Sequence, residues 1–389
     1  MTLGQGTEIG PFHFTVIRVL VAVGVIRIVI RRELLSGGLN GIDWLMAAWG
    51  GWALCSSAFH EIPIDTLIYH LGQVYNAIGI YFLIRCFCQS QEDVIRIVPI
   101  TAILLVPVAL EMLNEQLSHW NLFSVFGGVS EIPAIRNGRL RSQGPFGHAI
   151  LAGTVGAVCA PLMIGIWRRN PLMAKTGLVA CLMMVVTSAS SGPLMSLIFS
   201  AFALILWRWR HLTRQMRIGA ALGYILLALV MKAPPYYLIA RIDLAGGSTG
   251  WHRARLIQSA FEHLGEWWLA GTDYTRHWMP TGVSWSPNHA DITSQYIAYG
   301  VLGGLPLMLL FIAAVCVAFQ YVGKCVVMHA HDDVVEGKFV WAFGASLFAN
   351  AASCVSVSYF DQSFIFLFLN LAAIGSIYSV AAKHYVGVE

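Results

Sequence analysis

The sequence predicts an all-α, polytopic transmembrane helical bundle. Three observations carry that expectation. Of its 389 residues, 57% are hydrophobic and only 11% are charged, whereas a soluble domain is about 25% charged. The apolar residues fall in continuous runs of about 20 rather than in the ten-residue alternation of a barrel. The positive charges return at every second connection, as they do in chains that cross a bilayer repeatedly. The composition also excludes disorder. A net charge of +4 spread over this length gives no reason to expect nucleic acid as a partner.

About eleven runs are long enough to span: 14–30, 41–59, 66–86, 94–113, 147–167, 171–190, 193–209, 216–232, 292–320, 339–358 and 361–381. The ninth has length to spare for an interfacial turn. The chain divides into an N-terminal membrane bundle (1–232), a large outer loop (233–291) and C-terminal spans (292–389).

Lys and Arg mark the cytoplasmic side. Arg31 and Arg32 occupy one connection, and Arg85 and Arg96 flank another. Arg168, Arg169 and Lys175 surround the next. Arg208, Arg210, Arg214 and Arg217 follow, then Lys324 and Lys338. The connections 60–65, 188–193 and 358–361 carry no Lys or Arg, so they face out, with the longer segments 114–146 and 233–291. This orientation puts the N-terminus outside with no signal peptide ahead of it; either the first segment inserts with its N-terminus out or an upstream span is missing, and we expect the shortened start.

All eight cysteines lie in or near the apolar runs, which speaks against an external disulfide framework. Cys86 and Cys88 read as packing residues, not ligands. The glycine pairs Gly50/Gly51, Gly153/Gly156 and Gly219/Gly223 suit close helix packing. No repeat of the transporter type is present.

The 233–291 segment is too long for a bare connection. It holds Trp251, Trp267, Trp268, Trp278 and Trp285, which suit a membrane interface or a carbohydrate-facing cleft. Within it, 251–264 reads as an amphipathic helix, capped by Ser248 or Thr249 and stopped by Gly265. Leu256, Ile257, Ala260, Phe261 and Leu264 share its apolar face. Arg253 falls inside that face, where a cation needs an anion. Arg255 falls on the opposite face with Gln258 and Glu262, the usual place of a solvated charge. The segment ends in Asn288, His289 and Asp291 at the mouth of a span, where a neutral imidazole can accept a proton from a hydroxyl. In the other outer segment, Arg136, Arg139 and Arg141 run against the positive-inside trend. They are suited to phosphate, or else they balance Glu111, Glu115 and Glu131. The chain has no HExxH, phosphate-binding loop or carboxylate-rich metal cluster, so neither metal nor cofactor is expected. Arg18 is the main charge deep in a run.

Four stretches carry a family resemblance. They are Arg141–Gly153 (RSQGPFGHAILAG); Thr187–Pro193 (TSASSGP); the Arg253 helix with Trp267–Gly271 (WWLAG); and Asn288-His289 followed by Tyr299–Gly303 (YGVLG). In this order they resemble the bacterial O-antigen ligase and polymerase superfamily, closest to its exopolysaccharide polymerase branch, over about residues 12–380. The chain departs from the family at Asn288-His289-Ala290, where His-Asn is common, and at Ser190-Ser191, where Ser-Arg is common. Members commonly have further spans before the Arg18 segment.

The resemblance implies metal-independent, inverting glycosyl transfer from an undecaprenyl-diphosphate-linked oligosaccharide to a glycan or lipid acceptor. The site would lie on the periplasmic face of the bacterial inner membrane, and polymerisation is preferred over ligation. It makes His289 and Arg253 the catalytic candidates. Arg255, Arg141, Arg139, Arg276, Asn288, Asp291 and Trp268 are the candidates for diphosphate or glycan contacts. A flippase and a chain-length regulator are its further partners. The competing classes are a transporter or flippase of lipid-linked glycans and a non-catalytic subunit of an export system.

Overall fold

The computed structural model describes residues 2, 4–10, 12–241, 250–328 and 334–386. Among them are thirteen α-helices and three two-stranded antiparallel hairpins. Helices α1 (Val16–Arg31), α2 (Gly41–Ser56), α3 (Pro63–Phe87), α4 (Gln91–Ser118), α5 (Ala149–Gly165), α6 (Pro171–Thr187), α7 (Ser191–Ile205) and α8 (Thr213–Val230) precede the large connection. That connection contains α9 (Gly250–Glu262) and α10 (Leu264–Trp267). Helices α11 (Gln295–Met328), α12 (Val334–Ser353) and α13 (Phe364–Val386) follow.

Among the described residues, five stretches are able by length and composition to cross a membrane: Pro63–Phe87, Gln91–Ser118, Ser191–Val230, Gln295–Met328 and Phe364–Lys383. The third joins α7 and α8 through a short 3₁₀ segment kinked at Trp209. None of the residues of α8 is buried.

The hairpins depart from the all-α expectation. Strands β1 (Gly6–Ile9) and β2 (Phe12–Thr15) precede α1; β3 (Ala134–Arg136) and β4 (Arg139–Arg141) lie between α4 and α5; β5 (Gly282–Val283) and β6 (Ser286–Ala290) lie before α11. The β3–β4 turn has a local cause. Asn137 and Gly138 both have positive φ, 50° and 73°, the conformation a tight two-residue hairpin turn requires.

Helix starts follow their sequences. Reciprocal Asn40–Asp43 and Ser90–Asp93 capping boxes open α2 and α4, and Pro63 and Pro171 occupy first turns, where a missing N–H costs nothing. Helix α5 is apolar all round and buried along nearly its whole length, which marks a central helix. Added Cβ atoms at Gly153 and Gly156 would run into Ser188 and Pro193 and into the Cys181 carbonyl, so these glycines let α6 and α7 close on α5.

The connections sort into two sets, each bonded within itself. In one set, Gly147 N–H donates to Asp361 (2.7 Å), Gln362 to the Pro145 carbonyl (2.6 Å), Ser142 N–H to the Thr187 carbonyl (3.1 Å), and His60 meets Asp273 (2.7 Å). In the other, Ser36 N–H donates to the Arg85 carbonyl (3.2 Å), and Arg169 binds both Glu92 (2.9 Å) and Glu336. The short connections of the first set, 60–65, 188–193 and 358–361, carry no Lys or Arg.

Three charge assignments change. Arg85 is fully buried rather than flanking an exposed connection. It pairs with buried Asp43 (Nε–Oδ1 2.9 Å), which also accepts from Tyr81 (2.6 Å). Together they form a satisfied interior network, while Arg18 is only half-buried. Glu111 and Glu115 do not balance the outer arginines. Glu111 accepts from the Leu122 N–H (2.7 Å), and Glu115 from the N–H groups of Gln143 (2.9 Å) and Gly144 (2.6 Å). They anchor the 114–146 segment.

Candidate functional site: two polar clusters under the large connection

Helix α9 presents a mixed face to the bundle. Leu256 and Ala260 are buried with Trp267, Trp278, Met279, Ala290 and Ile297 in a small second core. This core seats the connection on the first turns of α11. Phe261, expected on the same face, is 66% exposed. The apolar cover ends before it, and Tyr236 is its neighbouring ring, 6.4 Å away. The helix stops at Glu262, and Gly265 lies inside the next helical turn instead of terminating α9. Ser248 and Thr249, the expected caps, lie outside the described residues.

Arg253 turns inward and is 7% exposed. Its Nε donates to the carbonyl oxygen of Ser356, between α12 and α13, at 3.0 Å. Arg141, at the end of β4, is 8% exposed and donates from Nε (3.2 Å) and Nη2 (2.7 Å) to the Ser190 hydroxyl. Neither makes an ion pair among the described residues. Burial lowers the pKa of both, and neighbouring cations lower it further: Arg136 and Arg253 act on Arg141, and Arg136 acts on Arg253. Exposed Asp291 opposes the shift at Arg253 only from a distance. His148, the N-cap of α5, sits in the field of Arg141, Asp291 and Arg136. This cluster therefore concentrates desolvated positive charge with no ion-paired carboxylate among the described residues, an arrangement costly without an anion.

His289 belongs to a second cluster. Its Nδ1 lies 2.7 Å from the Ser286 hydroxyl, and its ring centroid lies 5.3 Å from that of Trp285. Burial holds its pKa below the ordinary imidazole value, and Asp273 pulls the other way. Asp273 is fixed by His60 and by the Glu61 N–H (2.9 Å). Among the described residues, no hydrogen bond joins His289 to Arg253 or Arg141.

The remaining candidates have structural partners or open surroundings. Arg255 pairs with Glu262 at 3.3 Å. Arg276 is exposed and holds the carbonyls of Met279 (2.7 Å) and Pro280 (3.2 Å). The Asn288 side chain is exposed; its backbone N–H donates to Ser286, and its carbonyl accepts from the Thr275 N–H. Trp268 is 53% exposed. Arg139 is exposed opposite Arg136 in the β3–β4 pair.

The four stretches singled out in the sequence meet two by two. Arg141 and Ser190 join the first pair. Trp267–Gly271 and Tyr299–Gly303 form the second, where the Trp267 ring lies where a Gly300 side chain would go and the Thr272 N–H reaches the Val301 carbonyl (2.9 Å). Helix α11 breaks there, at Gly303 and Gly304. The freed groups are taken by Trp52, donating to the Gly303 carbonyl (2.7 Å), and by the Trp268 carbonyl, accepting from the Leu305 N–H (2.9 Å).

Sequence reasoning passed over His148, Ser190 and Ser356 as members of the arginine cluster. It also missed His263, Glu266 and His277, which converge on the surface of the connection. No protein-family model matches the chain, and no curated protein matches it.

Proposed function

We propose that the chain is a bacterial inner-membrane enzyme of cell-surface polysaccharide assembly. It takes glycan from an undecaprenyl-diphosphate carrier on the periplasmic face, polymerising in preference to ligating. All eleven apolar helices cross the bilayer in this reading, and the short connections without Lys or Arg face the periplasm together with the 114–146 and 233–291 segments. The supporting observation is the pair Arg141 and Arg253: buried, each within the other's cluster of positive charge, and with no ion-paired carboxylate among the described residues. A diphosphate supplies the missing charge, and the guanidinium fork binds its oxygens in pairs.

As the lipid diphosphate departs, its growing charge is stabilised by arginines already fixed by Ser190 and Ser356. His289 orients the acceptor hydroxyl or takes its proton as the new bond forms, which its depressed pKa suits. The hydroxyl oxygen forms the new bond to the anomeric carbon, the bond to the diphosphate oxygen breaks, and the stereochemistry inverts. Purified protein with a defined lipid-diphosphate glycan tests the reading directly. Longer glycan with released lipid diphosphate is expected, and an unchanged donor would reject it.

A further inference from the structure

We propose that His263, Glu266 and His277 form a binding site for one divalent transition-metal ion of the zinc class. The elbow between α9 and α10 places His263 and Glu266 three residues apart on one side, and a 3₁₀ turn at Arg276–Trp278 brings up His277. His263 Nδ1 lies 2.7 Å from Glu266 Oε1, and His277 Nε2 lies 3.1 Å from Oε1 and 2.9 Å from Oε2. One ligand atom from each residue lies within 4.8 Å of the other two. Tetrahedral bonds of about 2.0–2.1 Å put ligand atoms roughly 3.3 Å apart, close to the 2.7 and 3.1 Å that separate the two imidazoles from Glu266 Oε1. The side chains are 30–49% exposed and free to adjust.

The donor set selects the metal. Two imidazoles and one carboxylate suit zinc and its neighbours, whereas calcium and magnesium want more oxygens. The surroundings orient the ligands as second partners do in metal sites. Trp278, 2% exposed, donates its indole N–H to Glu266 Oε2 (3.0 Å) and lies parallel to the His263 ring, 5.8 Å between centroids. That leaves Glu266 Oε1 turned toward both imidazoles.

The site is distinct from the proposed donor site. Ten residues of helical rise, about 15 Å, separate Arg253 from His263. A bound ion ties the end of α9 to the turn leading into β5 and β6, and it acts as a staple.

The test uses the full chain in detergent, stripped with a chelator and dialysed. Zinc titration by calorimetry, with cobalt absorption as a coordination probe, is expected to give one saturable site and a rise in melting temperature. His263→Ala and His277→Ala each weaken binding by roughly tenfold or more. Glu266→Gln keeps the Trp278 bond and loses binding all the same, which separates ligation from folding. His211→Ala, at an exposed histidine elsewhere, binds as the native chain does. Absence of saturable zinc binding, or equal binding by folded His263→Ala and His277→Ala, would overturn the site.

Discussion

Arg253 donates from Nε to the carbonyl oxygen of Ser356 at 3.0 Å, which orients the guanidinium, and among the described residues its two terminal nitrogens make no hydrogen bond. A backbone carbonyl cannot neutralise the charge, so the bond orients the cation without satisfying it. Arg253→Ala should therefore abolish polymer formation while the protein still inserts and accumulates. A lost charge-assisted contact costs roughly 1.5–3 kcal/mol. Arg253→Lys should rescue poorly, because an ammonium cannot bind in a fork. Arg255→Ala, which breaks only a surface pair, should be mild. Polymer yield and membrane protein level, measured together, distinguish the three; equal losses at both positions would contradict the difference between them.

Gly304 carries the break in α11. Its φ of 76° and the adjacent Leu269 carbonyl leave no room for a Cβ. Gly304→Ala should destabilise the chain by about 1–3 kcal/mol, seen as a lower melting temperature in detergent. Gly265, with open space around it, should accept alanine with no loss and up to about 1 kcal/mol gain.

Asp273 gives a pH signature. Burial opposes its ionisation, yet the Glu61 N–H and His60 hold its carboxyl below the ordinary value. A depressed carboxyl contributes stability that is present above the unfolded-state value and lost as pH falls through the folded one. The melting temperature of the native chain should exceed that of Asp273→Asn at neutral pH, and the gap should close below about pH 4. A gap that persists unchanged into acid would contradict the ionised contact.

His289 should act on the acceptor side. His289→Ala should slow transfer by about 10²–10⁴-fold with lipid-diphosphate binding intact, and His289→Gln should recover part of the orientation but not the proton transfer. Because burial lowers its pKa, native activity should hold from neutral pH down through about 6.5 before it falls. Native turnover by His289→Ala would remove it from the chemistry.

Much of the helical frame is legible because its signals are local. A 100° periodicity separates Arg253 from Arg255 without any knowledge of the partners, and each apolar run meets a helix. The partners themselves are not legible. His60 and Asp273 are 213 residues apart, and nothing in either neighbourhood announces the other. Glu115 reads as a counter-ion until the fold turns it toward the N–H groups of Gln143 and Gly144. Phe261 satisfies the helical wheel yet lies beyond the edge of the second core. The Asn137–Gly138 turn that delivers Arg141 is written in the sequence, but a search for long apolar runs passes over it.

The central claim is that Arg141 and Arg253 together hold a lipid-linked diphosphate. The most direct measurement is equilibrium binding of a labelled undecaprenyl-diphosphate glycan to purified native chain, Arg141→Ala, Arg253→Ala and the double variant, each verified as folded. The account predicts saturable binding by the native chain. It also predicts a loss of roughly tenfold to a hundredfold in each single variant, as expected for 1.5–3 kcal/mol, and no measurable binding in the double variant. Undiminished binding by the folded double variant would contradict it.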